Sequence, residues 1–107
     1  MLYVTLFNAR PGTAMESTRR RLDWENAPDV KVVGEYWLPS NSPRVILIAE
    51  AESMDRIIDT HLAWDAFFEM QTFPAITADE GLRHMRERMA QMGTMPTAQP
   101  AGATVHA

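Results

Sequence analysis

The sequence predicts one α+β domain with the ferredoxin-like element order β-α-β-β-α-β and an extra C-terminal helix. Two β-rich runs, residues 30–38 and 44–50, are joined by a short Pro/Ser/Asn loop, which is typical of a hairpin. A strand-like run followed by a helical segment precedes this hairpin, and a helical segment followed by a strand-like run comes after it. With 107 residues, 46% of them hydrophobic, the chain is long enough for one core.

The first predicted strand and helix are separated by a Pro-Gly turn. Residues 2–7 alternate aliphatic with aromatic or hydroxyl side chains, which predicts a strand. Arg10-Pro11-Gly12 ends this strand, and a capping box from Thr13 to Glu16 begins a helix that stops by Pro28. The apolar stripe predicted for this helix consists of Met15, Thr18 and Leu22.

The second helix and the fourth strand follow the hairpin. Ser53 and Asp55 begin a helix that ends near Trp64 or Asp65, and residues 67–73 predict a strand, with Pro74 indicating an edge position or a bulge. The apolar face predicted for the helix consists of Met54, Ile57, Ile58, His61 and Leu62.

The C-terminal part begins with a second capping box, from Thr77 to Glu80. It predicts a third helix that runs through Met92 and has a methionine-rich apolar face. Residues 93–107 show no periodicity and are predicted to form a tail, so we place the domain at residues 1–92.

Composition excludes several function classes. Without cysteine there is no disulfide, no thiolate nucleophile and no Cys-ligated zinc. The net charge of −4 argues against a nucleic-acid partner, and residues 19–21, all arginine, fan out around a helix instead of forming a basic stripe. The longest apolar run, residues 45–49, is too short for a membrane span, and residues 1–7 do not resemble a signal peptide. We therefore expect a cytoplasmic protein with no membrane partner.

The predicted topology leaves one sheet face uncovered, because right-handed crossovers place both crossover helices on the same face. We expect Leu2, Val4 and Leu6 to meet the helices. So much apolar surface on the other face predicts pairing with a second copy, which makes a homodimer and a dimeric α/β barrel. The residues expected on the uncovered face are Tyr3, Thr5, Phe7, Val33, Glu35 and Trp37.

Several short segments resemble a known family, and they extend over residues 1–92. They are Met1-Leu2-Tyr3-Val4-Thr5, Arg10-Pro11-Gly12-Thr13, Val32-Val33-Gly34-Glu35-Tyr36-Trp37, Glu50-Ala51-Glu52-Ser53, Trp64 and Phe73-Pro74-Ala75-Ile76. Together they resemble a small bacterial family of unknown function within the dimeric α/β-barrel superfamily, which also holds muconolactone isomerases, antibiotic-biosynthesis-type monooxygenases and haem-degrading monooxygenases. This resemblance implies a dimer with a small-molecule cavity and, often, cofactor-free chemistry.

Glu35 and His61 are the candidate acid/base residues. A carboxylate between Val33 and Trp37 on a buried face would lose solvent, which raises its pKa toward use as a general base. The alternative for Glu35 is an ion pair with an arginine, Arg44 or Arg10, or a place at the barrel rim.

His61 has Asp65 four residues on, a helical spacing that allows the carboxylate to orient the imidazole. The alternative is a half-buried histidine that completes the apolar stripe of the second helix.

We expect Tyr3, Phe7, Trp37 and Trp64 to line a ligand pocket. No cofactor is expected. Haem in particular does not fit, because His61 precedes Trp64, the reverse of the order in the haem-degrading enzymes. No metal is expected either, since Glu80, His84 and Glu87 have no second histidine nearby. The leading hypothesis is a small-molecule-binding homodimer that acts as a cofactor-independent isomerase or monooxygenase on a partly apolar or aromatic metabolite. The alternative is a non-catalytic ligand-binding or protein-interaction module of the same fold.

Overall fold

The computed structural model describes residues 1–93 and confirms the predicted element order. The elements are β1 (Leu2–Ala9), α1 (Ala14–Asp23), β2 (Val30–Trp37), β3 (Val45–Ala51), α2 (Met54–Trp64), β4 (Phe68–Ala75) and α3 (Ala78–Gln91). The described residues divide into two units, Met1–Ala75 and a second that begins at Ile76, so the sheet, α1 and α2 belong to the first unit and α3 to the second. The predicted tail lies, from residue 94 onward, outside the described residues. Among the described residues, every helix is too short or too polar to span a bilayer.

The four strands form one antiparallel sheet in the order β2-β3-β1-β4. The predicted hairpin is β2–β3, and β4 occupies the edge that Pro74 indicated. Ile57 and Trp64 of α2 pack on Tyr3 and Phe7 of β1, respectively. Arg21 of α1 bonds to Glu35 on the same side of the sheet. Both crossover helices therefore cover one face, as right-handed connections require, and the fold is the ferredoxin-like α+β arrangement.

The predicted orientation of the sheet is wrong by one residue. Tyr3, Thr5 and Phe7 face the helices and are almost fully buried, at 1%, 1% and 6% exposure, while Val4 and Leu6 lie on the opposite face. Both faces of β1 are apolar, so the alternation alone does not say which one meets the helices. On the helix side the rings of Tyr3 and Phe7 pack with Ile57 and Trp64 of α2.

The predicted apolar faces of α1 and α2 are only partly correct. Met15 and Leu22 are 68% and 78% exposed, and the buried residue of α1 is Ser17. In α2 only Ile57 of the predicted stripe is buried, together with Trp64 at the end of the helix. The residues of the α2 stripe that are instead exposed or half-buried are Met54, Ile58, His61 and Leu62.

The start of α1 differs from the predicted capping box. The Thr13 hydroxyl donates to the carbonyl oxygens of Arg10 and Phe67, at 2.8 and 3.2 Å, and does not cap the helix. Thr13 therefore links the start of α1 to the turn after β1 and to the connection before β4. In α3 the cap predicted at Thr77 is confirmed, because its hydroxyl accepts from the backbone N–H of Glu80 at 3.1 Å, whereas the Glu80 carboxylate accepts from the Thr77 hydroxyl, at 3.3 Å, and not from a backbone N–H.

A row of polar side chains lies between α2 and the sheet. The Thr5 and Thr72 hydroxyl oxygens are 2.9 Å apart across β1 and β4, and the Thr72 oxygen is 2.7 Å from Nε2 of His61. Each of these groups has a hydrogen-bond partner inside the protein. Removal of the Thr72 hydroxyl therefore leaves Thr5 and His61 without that partner.

We predict that Thr72→Val lowers the free energy of unfolding by about 1–3 kcal/mol, because the Thr5 hydroxyl and the His61 ring each lose a hydrogen-bond partner. Urea unfolding followed by circular dichroism measures the change. Thr72→Ser is the matched control: it keeps the hydroxyl and should lose less stability than the valine variant. Equal losses in both variants would contradict the role given to the hydroxyl.

Candidate functional site

A cavity of about 700 Å³ lies between the helix face of the sheet and the inner sides of α1 and α2. Its floor comes from β1, β2 and β3, and the loop after β2 lines it as well. Its lining includes Tyr3, Phe7, Ser17, Thr18, Arg21, Trp24, Glu25, Val30, Glu35, Trp37, Asn41, Arg44, Val45, Leu47, Arg56, Asp59, Thr60, Trp64 and Phe68. The cavity exists because α1 presents Ser17 and Arg21 to the sheet, where larger apolar side chains would fill the layer.

The structure brings the four predicted ligand-lining residues, Tyr3, Phe7, Trp37 and Trp64, into this one cavity. Tyr3, Phe7 and Trp37 were expected on the uncovered sheet face. Tyr3 and Phe7 of β1 still share a face, because alternate residues of a strand point to the same side of the sheet. Their setting is therefore different from the one predicted, but their grouping is the same.

Trp24, which follows α1, is a cavity residue that the sequence interpretation did not select. Its ring meets that of Trp64 edge to face, with 5.3 Å between centroids. Its indole N–H donates to Asn26 Oδ1 at 3.0 Å, which fixes the ring orientation. All three tryptophans of the chain, Trp24, Trp37 and Trp64, therefore line the same cavity.

Glu35 projects from β2 into the cavity as half of an ion pair. Arg21 donates to both carboxylate oxygens, from Nη2 to Oε1 at 2.8 Å and from Nε to Oε2 at 2.9 Å. The Trp37 indole N–H donates to Oε2 at 2.7 Å. Arg21 lowers the pKa of Glu35 below its ordinary value; burial opposes this shift, and the Trp37 hydrogen bond adds to it. The raised pKa expected for Glu35 is therefore wrong, and its ion-pair partner is neither Arg44 nor Arg10.

The three consecutive arginines of α1 have separate environments. Arg21 reaches Glu35, while Arg20 donates to the Ala63 carbonyl at 3.1 Å and lies 5.3 Å from the Phe67 ring centroid. Arg19 is exposed. The predicted fan is correct, but one of its members points inward. Arg21 lies four residues after the buried Ser17, so the two share the face of α1 that meets the sheet.

His61 and Asp65 do not form the predicted pair. The His61 ring contacts Thr72, whereas Asp65 receives Arg10, whose Nε donates to its carbonyl oxygen at 2.8 Å. Neither His61 nor Asp65 lines the cavity that holds Glu35. The three candidate catalytic residues therefore do not converge on one place.

The other two cavity arginines differ in how their charge is balanced. Arg56 binds Asp29 at 2.9 Å and Asp59 at 3.2 Å. Arg44 makes no ion pair with any described residue, and its side-chain hydrogen bond goes to Asn41 Oδ1, at 2.7 Å. In residues 1–93, no group of three or more potential metal-binding side chains converges.

The chain belongs to the family described as a domain of unknown function, DUF3303, whose model matches residues 1–89. The match takes in all seven elements except the last two residues of α3. Searches of curated proteins and of solved structures found no match. The family description assigns no activity.

We predict that Glu35→Gln lowers the free energy of unfolding by about 1–2 kcal/mol at neutral pH, because the variant loses the ionic bond to Arg21. The pKa of Glu35 is lower in the folded chain than in the unfolded chain, so the carboxylate stabilises the fold above its ordinary pKa of 4.5. This contribution is lost as the pH falls through the folded-state pKa. The difference between the two proteins should therefore shrink below about pH 4.5.

Urea unfolding of both proteins at several pH values measures this difference. Glu25→Gln is the control, since Glu25 is exposed and makes no ion pair within residues 1–93, and it should leave stability at neutral pH unchanged. A difference between Glu35→Gln and the natural protein that stays constant from pH 7 to pH 3 would contradict the ion pair.

Proposed function

We propose that the protein binds a small, partly aromatic metabolite in the cavity between its helices and its sheet. The observation that carries this proposal is the cavity itself, whose volume of about 700 Å³ lies within the range of small-molecule sites. Six aromatic residues in the lining supply flat apolar contact surface for such a ligand, and Glu35, Arg21 and Arg44 supply polar groups that can orient it.

Catalysis as a cofactor-independent isomerase or monooxygenase is the second candidate, and Glu35 is the residue that favours it. Its carboxylate lines the cavity and is held in the ionised form, the form that accepts a proton. The lowered pKa also makes Glu35 a weak base, since a strong ion pair must loosen before the proton is taken. Binding without turnover is therefore the function that the geometry supports best.

We also propose that the protein is a homodimer, joined through the sheet face that α1 and α2 leave open. This face carries large apolar side chains; Tyr36 and Phe73 are 56% and 49% exposed, and Val4 and Ile48 pair across the centre of the sheet. A second copy would bury this surface. Two sheets packed in this way would form the dimeric α/β barrel and would place the family in that superfamily.

We expect native mass spectrometry of the purified protein to show a retained small molecule, because the cavity is large enough to hold one. Thr18→Phe, which places a ring at the cavity wall on α1, should abolish retention. Leu22→Phe is the matched control on the same helix: Leu22 is 78% exposed and outside the cavity, so the ligand should remain. Equal retention by both variants would place the ligand elsewhere.

Turnover separates the two candidate functions once the retained molecule is known. If Glu35→Gln still binds the molecule but no longer converts it, the protein is an enzyme. If the natural protein leaves it unchanged, the binding module is correct.

For the dimer, we predict that the natural protein has twice the 12.1 kDa mass of one chain and that the double variant Tyr36→Glu/Phe73→Glu is a monomer. Burial of two carboxylates in an apolar interface would cost more free energy than the interface contacts supply. Sedimentation velocity measures the mass. Leu22→Glu is the control, since it adds a charge to an exposed apolar site on α1 and should leave the dimer intact. A monomeric natural protein would contradict this proposal.

A further inference from the structure

The cavity contains a positive charge that no described residue neutralises. Of the three arginines that line it, Arg21 is paired with Glu35, and Arg56 is held by Asp29 and Asp59. Arg44 has no carboxylate within ion-pair distance among residues 1–93. A charge partly removed from water and left without a counter-charge is unfavourable, so its presence at a cavity needs a reason.

The hydrogen bonding of the Arg44 side chain is also incomplete. A guanidinium carries five N–H donors, and the Arg44 side chain makes one hydrogen bond, to Asn41 Oδ1. Its Nε is covered by protein and has no acceptor, which is the one such buried side-chain atom among the described residues. Buried polar groups nearly always have partners, so the Arg44 side chain, which lines the cavity, keeps donor capacity that the described residues do not use.

The backbone around Arg44 is held firmly, so the guanidinium is presented in a defined place. The Arg44 N–H donates to the Phe7 carbonyl, and the Arg44 carbonyl accepts from the Leu38 N–H, both at 2.8 Å. Asn41, which receives the guanidinium, is itself anchored, because its carbonyl accepts from the Ala9 N–H at 2.7 Å. A rigid loop that aims a cation is the arrangement that preorganised binding needs.

The surroundings of Arg44 indicate what the rest of the ligand is. The Arg44 backbone N–H donates to the backbone carbonyl of Phe7, so the two residues are neighbours in the cavity lining, and the Phe7 ring packs with Trp64 and Phe68. Glu25, the remaining carboxylate without an ion pair in the lining, is exposed, and solvent screens its charge. Arg44 is the cavity arginine without an ion pair among residues 1–93, and its single positive charge matches a monoanionic carboxylate better than a phosphate of nearly two charges.

Resting on the proposed ligand-binding function, we propose that the metabolite is an aromatic or similarly flat apolar carboxylate, and that Arg44 binds its carboxylate group. The acid group replaces the missing counter-charge, and the apolar body packs on the rings of Phe7, Trp64 and Phe68. The uncharged amide of the same compound lacks this charge-assisted bond and binds less tightly.

The test compares phenylacetate with phenylacetamide, two probes of the same shape that differ in charge. Quenching of tryptophan fluorescence reports binding, since all three tryptophans line the cavity. We expect the natural protein to bind the acid at least about tenfold more tightly than the amide. Arg44→Gln should remove this preference and leave the affinity for the amide unchanged. Arg19→Gln, the same substitution at an exposed arginine outside the cavity, should keep it.

If the glutamine variant does not fold, Arg44→Lys replaces it in this test. Lysine keeps the positive charge but lacks the paired N–H donors of arginine, so the preference for the acid over the amide should persist but become smaller. Equal binding of acid and amide by the natural protein would overturn the inference and leave the ligand-binding cavity intact. Loss of the preference in Arg19→Gln as well would show a general charge effect and would also overturn it. Binding of neither probe at millimolar concentration would contradict the ligand-binding function itself.

Discussion

The ion pair between Arg21 and Glu35 connects the helix layer to the sheet, and the cavity depends on it. Most helix–sheet layers are filled by apolar side chains at the density of an organic crystal. Here α1 turns Ser17 and Arg21 inward, and its large apolar residues Met15 and Leu22 point away from the sheet. The guanidinium spans the gap to Glu35 without filling it, so the layer is held together and remains open at the same time.

The same ion pair changes the chemistry expected of Glu35. A carboxylate that is merely buried becomes a stronger base, whereas one that accepts two hydrogen bonds from a guanidinium and one from an indole becomes a weaker one. The opposing effects are both present at Glu35, and the pairing with Arg21 is the larger. This balance is why we propose first that Glu35 holds the cavity open and orients a ligand, and only second that it transfers a proton.

Element order, strand edges and the grouping of cavity residues could be predicted from the sequence because each has a local cause. Alternation along β1 keeps Tyr3 and Phe7 together, and Pro74 excludes β4 from the centre of the sheet. The choice of sheet face was not predictable in this way, since Leu2, Val4 and Leu6 are as apolar as their neighbours. What decides the face is how much space α1 leaves beneath it, which is a tertiary property.

The partners of charged residues were also beyond local reasoning. Nothing in the sequence near Glu35 indicates Arg21, fourteen positions earlier, and the spacing of His61 and Asp65 suggested a pair that Thr72 and Arg10 prevent. In each case the observed partner is a residue that the fold brings close in space, and it is not the partner that the sequence spacing indicated. The free charge of Arg44 becomes visible only when the other arginines have been assigned their partners.

We propose one ligand site, the cavity lined by all three tryptophans. It is tested most directly by the indole N–H signals of Trp24, Trp37 and Trp64 in a two-dimensional NMR titration with phenylacetate. The cavity account predicts that all three signals move together along one saturating curve. Unchanged indole signals, with shifts confined to amides such as those of Val4 and Ile48 on the open sheet face, would contradict it.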